Sequence, residues 1–326
     1  MTTVWPISID DVYAARDRIA PYFTASPLRR YPTLDAAVGR DIALYVKHEN
    51  FNPTNSFKVR NGLSFMSALP EPARKHGVVG ATKGNHGLGI AYAGHIFGVR
   101  TTLCVPLGNN PDKNAGMRAY GARVIEEGRD YDESVPVADR IVREEGATLA
   151  HSTNDRNIIA GAATMSLEIV EQEPSLDALV LSLGGGSQAV GALTIARALR
   201  PQLTVYAVQP ERAAAAHDAW HSGTIRVLQS ADTFADGLAT RSVYDMTFPT
   251  LQEGLEDFVT VSEGEMASAL RLLLETTHSL VEGAGAAGLA GVLKLRDVLA
   301  GKRVGIVLSG GNIDRATLRR VLNDEI

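Results

Sequence analysis

The chain has 326 residues, long enough to bury a sizeable core and to divide into two compact units. Hydrophobic residues make up 45% and charged residues 21%, the balance of an ordinary globular protein, which excludes disordered and collagen-like chains. A formal net charge of -5 with no run of more than two consecutive Lys or Arg leaves no footprint for nucleic acid, and no apolar stretch approaches the about eighteen residues of a membrane span.

In chain order, short β-rich apolar runs alternate with longer segments of helical periodicity. Residues 42–46, 77–81, 101–105, 122–125, 178–183, 204–208 and 304–308 read as strands. Residues 87–97, with Leu88, Ala91, Tyr92 and Ile96 on one face, read as a helix, as do 189–199 and 263–277, the last with Met266, Leu270 and Leu274 in line. This alternation predicts an α/β protein with open, mostly parallel twisted sheets flanked by helices. No fixed-period repeat, low-complexity tract or Pro/Ser-rich linker marks a boundary. The single cysteine, Cys104, lies in the apolar run Thr101-Thr102-Leu103-Cys104-Val105-Pro106, which predicts a buried strand thiol and excludes an intrachain disulfide or a cysteine zinc site. The first residues lack a basic segment followed by an apolar one, so a cytoplasmic protein is expected.

Four loops carry candidate chemistry. In Asn52-Pro53-Thr54-Asn55-Ser56-Phe57-Lys58, a polar turn presents one lysine near the start of a helix. The helix dipole and desolvation there disfavour its ammonium form, as a lysine that condenses with a carbonyl requires. In Gly184-Gly185-Gly186-Ser187-Gln188, after the strand at 178–183, residues without Cβ let backbone N–H groups converge on an anion, and the following helix adds its positive end. That is a phosphate cradle, although Gly184, Gly186 and Ala189 also fit a degenerate dinucleotide fingerprint. The next strand ends at Gln209, where an acidic ribose ligand would be needed. The loop Thr82-Lys83-Gly84-Asn85-His86-Gly87 joins a strand to a helix and offers N–H groups and the Thr82 hydroxyl to a carboxylate, with His86 capping or packing. Ser309-Gly310-Gly311-Asn312 follows the strand at 304–308 and is in isolation only a turn.

In this order the four loops resemble the fold-type II pyridoxal-5'-phosphate (PLP) enzymes, specifically the threonine/serine dehydratase and serine racemase branch, over nearly the whole chain. Ser56-Phe57-Lys58 resembles the family's Schiff-base motif, Gly84-Asn85-His86 its carboxylate loop, Gly184 to Gln188 its phosphate loop and Ser309-Gly310-Gly311-Asn312 its pyridine-nitrogen motif. Asp236-Gly237 and Val281-Glu282-Gly283-Ala284-Gly285 resemble two further family segments. The resemblance implies a tryptophan synthase β-like fold with a large PLP-binding domain of residues 1–62 and 151–326 around a small domain of residues 63–150. It assigns Lys58 to the cofactor link and to Cα proton transfer, Phe57 to packing beside the ring and Asn85 to the ring hydroxyl. Gly184, Gly185, Gly186, Ser187 and Gln188 hold the phosphate, Ser309 faces the ring nitrogen, and Thr82, Gly84, Asn85 and His86 receive the substrate carboxylate.

The implied reaction is loss of ammonia from a 3-hydroxy amino acid such as threonine or serine to give a 2-oxo acid. A racemase, a β-replacement enzyme similar to cysteine synthase, and a ligand-binding regulator without turnover are the alternatives. His86 counts against the second and Lys58 against the third. Lys83 stands where racemases of the family carry Ser, and is expected to act on substrate choice or as an opposite-face base. Gln209 and Ala215 stand where relatives hold carboxylates for a divalent cation, so no metal is expected. The chain ends soon after the last motif, which predicts no C-terminal regulatory domain, and the resemblance implies a homodimer.

Overall fold

The computed structural model describes residues 4–326. Its strands are β1 (Leu28–Arg30), β2 (Ala43–Lys47), β3 (Val78–Ala81), β4 (Thr101–Val105), β5 (Arg123–Glu126), β6 (Thr148–Leu149), β7 (Ala178–Ser182), β8 (Thr204–Pro210), β9 (Asp257–Val261) and β10 (Arg303–Val307). Among the described residues they form a six-stranded sheet in the order β1-β2-β10-β7-β8-β9 and a four-stranded sheet in the order β5-β4-β3-β6. Every pairing is parallel except that of β1 with β2. The parallel α/β architecture expected from the alternation of runs is therefore present. The run at 101–105 coincides with β4, and those at 42–46 and 304–308 are displaced by one residue from β2 and β10. Strands β1, β6 and β9 lie outside the runs read from the sequence.

The pattern of burial explains the layers. Strand β7 is buried along its whole length, as a central parallel strand covered on both faces must be. Because successive side chains alternate, Val180 joins Val208 and Ile306 beneath Met266, Leu270 and Leu289. Leu179 and Leu181 project the other way, onto Ile159, Ala163, Val190 and Leu193. The smaller sheet repeats the device, with Val78 and Leu103 against Ile90 and Met117 on one face and Val79 and Cys104 against Val137 and Ile141 on the other. Burial pushes the Cys104 thiol up to about 11, so it packs as a small apolar group.

The helix Lys58–Ala68 links the two layers, packing on both Asn85–Phe97 and Arg156–Gln172. A Cβ on Gly62 would lie 2.2 Å from the Gly89 carbonyl oxygen, and one on Gly89 2.2 Å from that of Lys58, so only paired glycines allow this approach. The first turn is also fixed by a buried ion network. Arg60 donates to Glu49 Oε2 at 2.8 Å and to both Glu168 oxygens at 2.7 Å, while Lys47 Nζ meets Glu168 Oε2 at 2.7 Å. Burial opposes the Arg60 charge, but Glu49 and Glu168 outweigh it and hold the guanidinium protonated. Among the described residues no helix is long and apolar enough to cross a membrane.

Candidate active site

The carboxyl ends of β3, β7 and β10 converge on one cleft, the place where open parallel sheets gather ligand loops. Phe57, Lys58 and Ser309 line it, as do Thr82, Lys83, Gly84, Asn85 and His86. Gly184, Gly185, Gly186, Ser187 and Gln188 complete it, so every residue expected to touch cofactor or substrate reaches the same cavity, whereas Gly311 and Asn312 line a neighbouring one.

Lys58 opens its helix and is half-buried. Its ammonium lies 4.8 Å from the centre of the Phe57 ring and Nζ is 3.5 Å from the Ser152 carbonyl oxygen, and among the described residues no carboxylate pairs with it. Burial alone pulls its pKa down to about 8. An uncompensated, desolvated amine is the state the chemistry of a carbonyl-condensing lysine requires.

In the glycine loop, Gly186 adopts φ +97, a left-handed conformation suited to glycine. A Cβ on Gly184 would sit 2.4 Å from the Gly237 carbonyl oxygen and one on Gly185 2.0 Å from Thr153 Oγ1. The helix Ser187–Leu199 begins immediately after, with its first N–H groups facing the loop. Gln188 Nε2 is buried without a partner among the described residues, the signature of a donor waiting for an acceptor. Backbone donors, a helix start and an orphan amide fit a phosphate group.

The loop before Asn85–Phe97 is braced from within. Thr82 Oγ1 accepts from the N–H groups of Gly84 and Gly87, each at 3.0 Å, so the Gly84 amide is already engaged. The amides of Asn85 and His86, first in their helix, have no intrahelical acceptor. Asn85 is oriented by two neighbours: Nδ2 donates to Glu282 Oε1, and Oδ1 accepts from Asn312 Nδ2 at 2.8 Å. One Nδ2 hydrogen is left without an acceptor among the described residues. His86 Nε2 lies 2.9 Å from the Ala150 carbonyl oxygen, and burial followed by the Lys58 charge pushes its pKa down to about 3. It is a neutral strut between the loop and residue 150. Ser309 is 5% exposed at the end of β10, and its carbonyl accepts from Phe57 N at 3.0 Å, which ties the lysine loop to the serine loop.

Several lining residues were not singled out for the site. Lys113 lies inside the helix Pro111–Ala119 and nothing local marks it, yet its Nζ is 3.0 Å from Asp236 Oδ2 and 4.0 Å from Glu282 Oε2. Burial opposes its charge, but Glu282 and Asp236 more than offset this and its pKa is raised. Burial is also the main cause that raises Glu282, against the pull of Lys113. Lys83 Nζ is 3.6 Å from Asp236 Oδ1. Tyr131 and Tyr244 form another wall, with Tyr131 Oη 3.1 Å from Ser152 Oγ.

A desolvated lysine, a phosphate-fitting glycine loop and an anion-receiving helix start in one cleft between two mostly parallel sheets define a phosphate-bearing carbonyl-cofactor enzyme. The pyridoxal-phosphate dependent enzyme family matches residues 19–310, and the chain belongs to it, with pyridoxal 5'-phosphate as cofactor. It is 36% identical over 317 residues to an L-threonine ammonia-lyase of Thermotoga maritima, covering 97% of this chain and 78% of that one. It is 33% identical over 307 residues to an L-threo-3-hydroxyaspartate ammonia-lyase of a Pseudomonas species, covering 94% and 96%. The structure of maize serine racemase superposes with a TM-score of 0.92 at 30% identity, covering 98% of each chain.

Proposed function

We propose that this enzyme is an ammonia-lyase that converts a 3-hydroxy amino acid such as threonine or serine to a 2-oxo acid and ammonia. The observation that carries the reading is Lys58, a half-buried amine with a pKa lowered to about 8, in the same cleft as the glycine loop, the Thr82 to His86 loop and Ser309. When bound, the cofactor supplies a carbonyl that captures amines and a conjugated ring that takes up electrons released at Cα.

The residues around it divide the remaining work. Gly184, Gly185, Gly186, Ser187 and Gln188 hold the phosphate, Phe57 packs beside the ring, and Asn85 donates to the ring hydroxyl. The Thr82 to His86 loop receives the substrate carboxylate, chiefly through the helix-start amides of Asn85 and His86. Lys58 takes the Cα proton. Ser309 offers the ring nitrogen a neutral hydrogen bond and cannot keep it protonated as a carboxylate would, which favours prompt expulsion of the 3-hydroxyl over a long-lived carbanion. Loss of that proton and hydroxyl as water leaves an enamine that hydrolyses to the 2-oxo acid and ammonia.

A second reading, racemisation, is favoured by Lys83, a further lysine lining the cleft. It requires Lys83 to exchange a proton at the other face of Cα, whereas its contact with Asp236 supports a role in substrate choice. The same proposal places the small domain at residues 63–150, within which all four strands of the smaller sheet fall. A homodimer, resting on the family resemblance, and a cytoplasmic location, consistent with a lone buried thiol, complete it.

The test is oxo-acid and ammonia release from L-threonine and L-serine, with the enantiomer of each scored in parallel. Oxo acid that is lost in Lys58→Ala supports the lyase. Enantiomer without oxo acid would replace it with the racemase.

A further inference from the structure

Beyond the loops assigned to cofactor and carboxylate, the cleft has one more wall, built largely by residues 236–244. Asp236 stands at its near end and carries two ammonium groups at once, Lys113 at 3.0 Å and Lys83 at 3.6 Å. Lys113 is 6% exposed in its side chain and also lies 4.0 Å from Glu282. Apart from Lys58, then, each lysine lining the cleft already faces a carboxylate of the protein. At the far end Arg241 meets Asp130 and Asp132, each at 3.3 Å, and none of these three lines the cleft. Between the two ionic contacts the lining is Leu238, Ala239, Thr240, Tyr131 and Tyr244. Burial raises the pKa of both phenols above the ordinary 10, so this stretch is neutral.

We propose that this wall receives the group on C3 of the substrate and selects an uncharged one, with Asp236 as the specificity-determining residue because it occupies both Lys83 and Lys113. The inference rests on the ammonia-lyase reading and narrows its substrate class. A hydrogen, a methyl or an aromatic ring on C3 meets apolar and aromatic surface. A carboxylate there would be stripped of water against Leu238 and two phenols with no free cation, and would be repelled by Asp236. This chain thereby rejects the acidic substrate class named for the Pseudomonas relative, L-threo-3-hydroxyaspartate, while accepting serine, threonine and 3-phenylserine.

The experiment compares kcat/KM of the cofactor-loaded enzyme for L-serine, L-threonine, L-threo-3-phenylserine and L-threo-3-hydroxyaspartate. The expected result is a value for 3-hydroxyaspartate at least about 100-fold below that for threonine, in line with the discrimination available when a charge is left unpaired. Asp236→Asn frees Lys83 and leaves Lys113 with Glu282 alone, at 4.0 Å, and should narrow that ratio at least about tenfold. A ratio within tenfold in the unaltered enzyme, or one that Asp236→Asn leaves unchanged, would overturn the proposal. Should that variant fail to fold or to load cofactor, binding to the unaltered holoenzyme decides, read by the change in cofactor absorbance. L-2-aminobutyrate, which lacks the 3-hydroxyl, should bind at least about tenfold more tightly than L-aspartate. Equal affinity refutes the wall. If no 3-hydroxy amino acid releases oxo acid, the lyase reading fails separately, and the same binding pair still decides the selectivity.

Discussion

Replacing Lys58 by Met should stabilise the cofactor-free protein. Met keeps the apolar stem and removes the amine that burial disfavours, and among the described residues the only hydrogen bond lost is the long one to the Ser152 carbonyl at 3.5 Å. Lowering the pKa from 10.5 to about 8 means that, near pH 7, folding gives up about 3 kcal/mol to hold this ammonium. The sign follows from proton counts. Between pH 8 and 10.5 the unfolded chain binds more protons than the folded one, so the native protein gains stability as pH rises through that window. The advantage of Lys58→Met should therefore shrink from about 3 kcal/mol at pH 7 to about 1 kcal/mol at pH 10. Urea unfolding of both cofactor-free proteins at the two pH values measures it. A variant no more stable than the parent at pH 7, or an advantage independent of pH, would show that burial does not destabilise the Lys58 ammonium.

Three further outcomes are expected. Gly184→Ala forces its Cβ against the backbone oxygen of Gly237, 2.4 Å away, and should weaken PLP binding at least about tenfold in an absorbance titration. Arg60→Met leaves Glu49 and Glu168 buried without their main partner and should lower unfolding stability by about 3–5 kcal/mol. Glu49 is held below its ordinary 4.5, so in the parent its contribution is present above that pH and fades as pH falls through the lowered value. Gln209 is buried and its Oε1 accepts from His217 N at 3.0 Å, and Ala215 offers only a methyl, so equilibrium dialysis with magnesium or calcium should show no stoichiometric uptake near them.

What the sequence made legible was whatever local chemistry announces. Strand β4 and the helix Glu263–Thr277 were readable to the residue, the helix because it opens on a Ser262–Glu265 capping box, carries Met266, Leu270 and Leu274 on one face and closes at His278 in a left-handed cap. Strand β1 has three residues, partly exposed and antiparallel at a sheet edge, and β6 has two, too short for any periodic signal. Strand β9 did carry one, since Phe258, Val259, Thr260 and Val261 form a β-branched run, and it could have been found. Within the site, loops rich in Gly, Ser and Asn at strand ends were visible as loops with a purpose. Lys113, Tyr131 and Tyr244 were not, because a lysine inside a helix and tyrosines more than a hundred residues apart acquire meaning only when packing turns them into one cleft. The Arg60 network is of the same kind, joining residues 47, 49, 60 and 168.

The central claim is that Lys58 carries the cofactor, and the direct measurement is borohydride fixation of the PLP-loaded protein followed by peptide mapping. Reduction should remove the visible absorbance and leave the pyridoxyl label on the peptide containing Lys58, and Lys58→Ala should take up none. Label on Lys83 or Lys113, or an unlabelled protein, would contradict it.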